Sequence, residues 1–126
     1  MKKILLSVFL LASSTGLFSQ TIDGGGYHSL SVCTDGTVRS WGLNASGQLG
    51  DGTTTQQASP VTVSSLTGVT AVSAGYYHSL ALRNDGTVWG WGQNSNNQLG
   101  DGSATQRNTP VQTNLLTGVI ATAAGS

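Results

Sequence analysis

Two stretches of this chain decide its fold: residues 41–52, which read WGLNASGQLGDG, and residues 91–102, which read WGQNSNNQLGDG. The likeness continues outward without a gap, so that residues 26–75 align with residues 76–125 at 27 identical positions. A period of this length, built from short apolar runs and tight turns, is typical of the blades of a β-propeller. We therefore expect two equivalent units in tandem.

Each repeat predicts four short strands. The predicted strands are 28–33, 37–42, 60–63 and 69–74 in the first repeat, and 78–83, 87–92, 110–113 and 119–124 in the second. Asp35-Gly36 and Asp85-Gly86 predict two-residue type I′ turns between the first two strands of each repeat. Because proline is tolerated at the first residue of a strand, we expect Pro60 and Pro110 to open the third strands. The predicted fold class is all-β, with two four-stranded antiparallel blades of a partial propeller.

The N-terminus has the layout of a secretory signal. Lys2 and Lys3 precede the apolar run 4–11, and small and polar residues follow. This run is too short to cross a bilayer, so we expect residues 1–19 to be a signal peptide and no membrane span to remain after its removal. A cut after Ser14 is the alternative to a cut after Ser19. The predicted location is secreted or at the cell surface.

The net charge of the chain limits the classes of partner that we expect it to bind. Without residues 1–19, three arginines face five aspartates, which leaves a formal charge of −2. With no basic patch, the sequence predicts no nucleic-acid partner. Cys33 is the only cysteine, so an internal disulfide is excluded.

Catalysis and metal binding are not expected. His28, Ser29 and Asp35 supply the residue types of a hydrolytic triad, but neighbours on one strand point to opposite faces, and both repeats carry the same set. We expect His28 and His78 to form hydrogen bonds within their own blade instead. Asp51 and Asp101 give each loop one carboxylate, which is too few for a calcium site. The sequence predicts no catalytic residue, no metal ligand and no cofactor.

Four motifs carry a resemblance to a known family. Tyr-His-Ser-Leu, Asp-Gly-Thr-Val, Trp-Gly-x-Asn-x-x-x-Gln-Leu-Gly-Asp-Gly and Pro-Val resemble the regulator of chromosome condensation repeat, and they cover both copies. The resemblance implies four-stranded blades, normally seven in a closed ring. Because such a ring needs roughly 350 residues, we expect a C-terminally truncated fragment, or a chain that completes its blades by self-association. The positions expected to have a structural role in the repeat are His28, His78, Asp35, Gly36, Asp85, Gly86, Trp41, Gly42, Trp91, Gly92, Asn44, Asn94, Gln48, Leu49, Gly50, Gln98, Leu99 and Gly100.

The function expected from this resemblance is an extracellular scaffold that binds a protein or a glycan through its long loops. The loops differ most between the repeats at 53–58 and 103–108, and loops on a rigid scaffold carry recognition. The candidate binding residues are Thr54, Gln57, Ala104, Arg107 and Asn108. A structural segment of a larger surface adhesin is the alternative. Guanine-nucleotide exchange, as in the founding family member, is disfavoured by the export signal, the charge and the number of blades.

Overall fold

The computed structural model describes residues 21–114 and 124–125. Within this part of the chain every regular element is a β-strand, and no helix could span a membrane. The strands are β1 (Ile22–Gly24), β2 (His28–Val32), β3 (Val38–Gly42), β4 (Gln57–Thr62), β5 (Val69–Ala74), β6 (His78–Arg83), β7 (Val88–Gly92) and β8 (Arg107–Gln112). The all-β prediction is confirmed for the described residues.

The strands form two antiparallel sheets in simple sequence order, β1-β2-β3-β4 and β5-β6-β7-β8. The predicted partial propeller of two four-stranded blades is therefore confirmed. The assignment of strand 69–74 as the last strand of the first blade is wrong, because β5 pairs with β6 and opens the second sheet. A strand at 119–124 falls outside the described residues, except for Ala124.

The core lies between the two sheets, and the second sheet contributes both small side chains and the large ring of Trp91 to it. Leu30 and Val38 of the first sheet are fully buried in one cluster with Ala74, Ala81 and Trp91 of the second. Burying a leucine side chain contributes about 2 kcal/mol. The two blades thus depend on one another for a shared core.

The turns between the first long strands differ from the prediction. Gly36 has φ +82° and Gly86 has φ +80°, whereas Asp35 and Asp85 do not have positive φ. In the first turn, Gly36 N–H donates to the Cys33 carbonyl at 2.9 Å, and Cys33 N–H donates to the Thr37 carbonyl at 2.8 Å. These bonds describe a three-residue loop with a glycine bulge, so the type I′ prediction is wrong. Only the glycine needs the left-handed conformation.

The outer strands begin earlier than predicted. β4 starts at Gln57 and β8 at Arg107, not at the prolines, and the pairing of β4 with β3 is irregular between Ser40 and Gly42. Pro60 lies within this irregular stretch of an edge strand, where its missing N–H breaks no ladder. β4 is largely exposed, so it has no hydrophobic alternation from which its start could be predicted.

Candidate functional site

The long loops after β3 and β7 are organised by buried asparagines. Asn44 is fully buried, and its Nδ2 donates to the carbonyl oxygens of Thr53 at 3.0 Å and Thr55 at 3.1 Å. Its Oδ1 accepts a hydrogen bond from the backbone N–H of Leu49 at 2.9 Å. Asn94 makes the same bonds in the second loop. Each loop backbone is therefore tied to a single side chain and held in one shape.

The aspartates of the loops serve the same scaffold. Asp51 accepts hydrogen bonds from Asn44 Nδ2 at 3.2 Å and from the backbone N–H of Thr53 at 2.9 Å. Asp101 accepts the equivalent bonds and also pairs with Arg107 Nε at 2.8 Å. Burial alone would raise the pKa of Asp101, but hydrogen bonds from its neighbours hold this pKa well below its usual range. Among the described residues, no group of three potential ligands could hold a metal ion.

The five candidate binding residues differ in availability. Thr54 and Ala104 are exposed, whereas Gln57, Arg107 and Asn108 are half-buried. Arg107 is engaged with Asp101, and the carbonyl of Asn108 accepts the N–H of Gly52 from the first sheet's loop at 2.9 Å. The first contact lies within the second blade and occupies the Arg107 side chain, whereas the second joins the two blades through the Asn108 backbone.

The histidines were expected to bond within their own blade, and for His28 this is wrong. His28 Nε2 lies 2.7 Å from Ser79 Oγ, in the second sheet, and Ser79 Oγ donates to the Gln48 carbonyl at 2.8 Å. Because the serine gives its one proton to that carbonyl, His28 must donate from Nε2. Its buried Nδ1 has no hydrogen-bond partner. Burial and, after it, the charge of His78 lower the pKa of His28 to about 4. A histidine that donates to serine does not activate it as a nucleophile.

Three tyrosines form a cluster that the sequence analysis missed. Tyr27 is 50% exposed, and among the described residues it is the most exposed large hydrophobic side chain. Its ring meets that of Tyr76 edge-on at 5.3 Å and stacks on that of Tyr77 at 6.0 Å, measured between centroids. The hydroxyl groups of Tyr27 and Tyr76 lie 3.1 Å apart, and this hydrogen bond raises the pKa of Tyr76. In the sequence, the adjacent pair Tyr76 and Tyr77 before His78 was the feature that could have indicated this cluster.

The tyrosine cluster and the long loops share one end of the molecule. In an up-and-down antiparallel sheet, the first and third connections between strands lie at the same end. Here the first connections carry Tyr27 in one sheet and Tyr76 and Tyr77 in the other, and the third connections are the long loops. Leu43 N–H donates to the Tyr27 carbonyl at 2.9 Å, which joins the two directly. A groove of about 340 Å³ beside Tyr76 and Tyr77 is lined by amide side chains, which are those of Gln93, Asn96 and Gln98. This end therefore presents aromatic rings beside amide side chains.

Comparison with known proteins places the repeats in one family. Two family profiles match, both described as the Regulator of chromosome condensation (RCC1) repeat, one at residues 20–48 and 69–98 and the other at 35–82 and 85–126. No curated protein sequence matches the chain significantly.

Solved structures share the fold. The crystal structure of human WBSCR16 is 34% identical over 72% of this chain, with a TM-score of 0.64. Yeast RCC1 (Prp20), in its complex with Kap60, is 26% identical over 83% of this chain, with a TM-score of 0.71. Prp20p from Saccharomyces cerevisiae, studied for its binding to Gsp1p and histones, is 20% identical over 92% of this chain, with a TM-score of 0.70, and shows the fold alone.

This chain spans 24% of the WBSCR16 chain, 28% of the RCC1 chain in the Kap60 complex and 31% of the Prp20p chain. The second family profile alone matches more than half of the residues, in two consecutive copies at 35–82 and 85–126. The chain therefore belongs to the RCC1 repeat family.

Proposed function

We propose that this chain is a protein-binding module that recognises its partner at the end carrying Tyr27, Tyr76 and Tyr77. The observation that carries the proposal is the half-exposed ring of Tyr27 on a cluster flanked by the amide side chains of Gln93, Asn96 and Gln98. Protein interfaces are enriched in tyrosine at their centres and have a polar rim. The RCC1 structure solved with Kap60 supports a protein partner.

A binding role fits the rigidity of this end better than a catalytic one. The buried asparagines fix the loop backbones, so little conformational entropy is lost when a partner docks. The hydrogen-bonded pair Ser79 and His28 is buried between the blades, and its proton arrangement does not favour nucleophilic attack. We therefore propose that the protein is not an enzyme.

The test compares proteins captured by the immobilised chain with those captured by two variants. Tyr27→Ser combined with Tyr77→Ser removes two rings of the cluster, and Arg39→Ser removes a large exposed side chain from β3. We expect capture to fall by at least about 30-fold in the tyrosine variant, the scale of an interface hot spot, and to stay unchanged in the control. Equal capture by both variants, or binding to a glycan panel without any protein partner, would contradict the proposal.

We also propose that the module acts outside the cytoplasm, because Lys2, Lys3 and the apolar run 4–11 have the pattern of an export signal. N-terminal sequencing of the protein recovered from the medium or cell surface should find a start at Thr15 or Gln20. An uncut chain confined to the cytoplasm would overturn this location. A role as a segment of a surface adhesin requires the same export and is compatible with binding through the tyrosine end.

A further inference from the structure

The contact between the two blades contains a tryptophan socket. Trp91 is fully buried, and its Nε1 donates to the Gln48 carbonyl of the first sheet's loop at 2.8 Å. A Cβ atom on Gly50 would lie 2.7 Å from Nε1, so only glycine leaves room for the ring. Ser79 donates to the same carbonyl from the second sheet. The socket is therefore formed by a Gln-Leu-Gly turn that faces Trp and Ser on the neighbouring blade.

The second sheet carries the same socket without a tryptophan in it. Gln98, Leu99 and Gly100 repeat the turn, and the φ of Gly100 is +64°, close to the +69° of Gly50. Gly50 is buried whereas Gly100 is exposed. Within residues 21–114 and 124–125, the nearest atom to a Cβ on Gly100 would be one of Thr113, 3.8 Å away. Among the described residues, the space that Trp91 fills at the first socket is empty at the second.

The first sheet carries the matching tryptophan on its opposite face. Trp41 and Ser29 occupy the repeat positions of Trp91 and Ser79, but both are only half-buried, whereas their counterparts are buried. Trp41, Gly42 and His28 help to line an open groove of about 470 Å³. The outer faces of the two sheets are thus the two halves of the contact already formed inside the molecule.

We propose that a second copy of this chain docks head to tail, with its Trp41 inserted into the Gly100 socket of the first. Trp41 Nε1 and Ser29 Oγ would donate to the Gln98 carbonyl, as Trp91 and Ser79 do to that of Gln48. The two surfaces are different, so the contact is heterologous and can propagate beyond a dimer. This association uses the blade faces, and Tyr27 lines the groove beside Trp41, so the two proposals share that residue. Substitutions at Trp41 and Gly100 leave all three tyrosines in place and therefore test the docking separately from the partner.

Part of the docking position is already occupied. Ala124 N–H donates to Ser73 Oγ at 2.7 Å, as Ala74 N–H does to Asp23 Oδ2, and Tyr76 N–H donates to the Gly125 carbonyl at 3.2 Å. Residues 24–25 of an incoming copy would need the same place by the repeat. Docking therefore requires either residues 124–125 of the first copy or residues 24–25 of the incoming copy to be displaced. We expect association to be slower than that of a preformed interface for this reason.

Two variants test the two surfaces separately in sedimentation experiments on the purified chain. Trp41→Ser removes the inserting ring, and Gly100→Asn fills the socket with a residue that tolerates positive φ. We expect the unsubstituted chain to form species larger than a dimer as concentration rises. Each variant alone should lose at least about 30-fold in apparent association constant, the loss typical of a hot spot. Mixed together, they should form a 1:1 dimer and nothing larger, because each supplies the surface that the other lacks.

A capping experiment removes any dependence on the folding of the Gly100 variant. Trp41→Ser keeps an intact socket, so small amounts added to the unsubstituted chain should end its assemblies and lower their mean size. Trp89→Arg, which copies the arginine found at the same position of the first repeat, should co-assemble without this effect. A monomeric unsubstituted chain, or assemblies whose size Trp41→Ser leaves unchanged, would overturn the proposal.

Discussion

At the scale of single residues, identical positions of the repeat have different environments. Trp41 and Trp91 occupy the same place in the repeat, yet Trp91 is fully buried between the sheets and Trp41 is only half-buried. Trp89 has no tryptophan counterpart, and it packs on the edge of the core with its Nε1 bonded to Thr87 Oγ1 at 3.0 Å. The energetic weight of a repeat residue therefore depends on its neighbouring blade.

The tryptophans give the first prediction. Trp91→Ala should lower the free energy of unfolding by about 3–5 kcal/mol, because it leaves a cavity between the sheets and removes one of the two hydrogen bonds to the Gln48 carbonyl. Trp41→Ala should cost clearly less, since its ring is already partly in solvent. Trp89→Arg serves as the control, with a smaller loss still. Denaturant titrations at one low protein concentration measure all three, and equal losses at Trp41 and Trp91 would contradict the difference in burial.

The second prediction concerns acid. Because burial lowers the pKa of His28 to about 4, the folded protein keeps this imidazole neutral while the unfolded chain protonates it near pH 6.5. Its contribution is complete above pH 6.5 and is lost as the pH falls from 6.5 towards 4, by up to about 3 kcal/mol. Unfolding free energies measured across this interval should show the slope. His28→Gln should remove it, and an identical slope in that variant would exclude His28 as the cause.

At the scale of the elements, the long loops depend on one buried amide each. Asn94→Ala would leave the carbonyls of Ser103 and Thr105 and the N–H of Leu99 without their partner. We expect a loss of about 3 kcal/mol in unfolding free energy, since one buried and two part-buried backbone groups lose hydrogen bonds together. Asn96→Ala, an exposed position in the same loop, should stay within about 0.5 kcal/mol. Hydrogen exchange should show faster exchange of the Leu99 amide in the first variant only.

The strands show what a sequence repeat can and cannot predict. The inner strands follow from the alternation of apolar residues and the turn glycines, and they lie within a residue of the predicted bounds. A repeat has no inherent starting point, however, so the period alone could not show that β5 belongs to the second sheet. That choice is made by long-range pairing with β6. Likewise, β4 is largely exposed and is defined by its hydrogen bonds to β3. Such hydrogen bonds produce no hydrophobic pattern in the sequence.

The candidate site was only partly predictable for a similar reason. The asparagine, glutamine and glycine positions of the loops stand out because both repeats retain them. The tyrosine cluster does not, since it brings Tyr27 of one repeat against Tyr76, which aligns with Gly26. A contact between unlike positions is invisible to a comparison of the repeats. The contact depends on how one blade is rotated against the next, and this rotation can be read only from the structure.

At the scale of the whole molecule, stability should grow with the number of contacts between blades. In repeat proteins each unit adds its own stability and one interface, so a longer array is more stable than a short one. Within the part of the chain that the structure describes, a single interface holds the shared core, and Gly100 is exposed where Gly50 is covered by Trp91. A chain extended after Gly125 by another copy of residues 76–125 would place a new tryptophan, equivalent to Trp91, opposite that socket.

We expect this extended chain to unfold at a higher denaturant concentration than the original, with a steeper transition because more surface is exposed on unfolding. The matched control is the same extension with alanine in place of the new tryptophan, which retains the length and composition but lacks the ring that fills the socket. If the socket carries the coupling between blades, the control should lose most of the gain in midpoint. An equal gain in both extended chains would mean that added length, and not insertion of the tryptophan, stabilises the array.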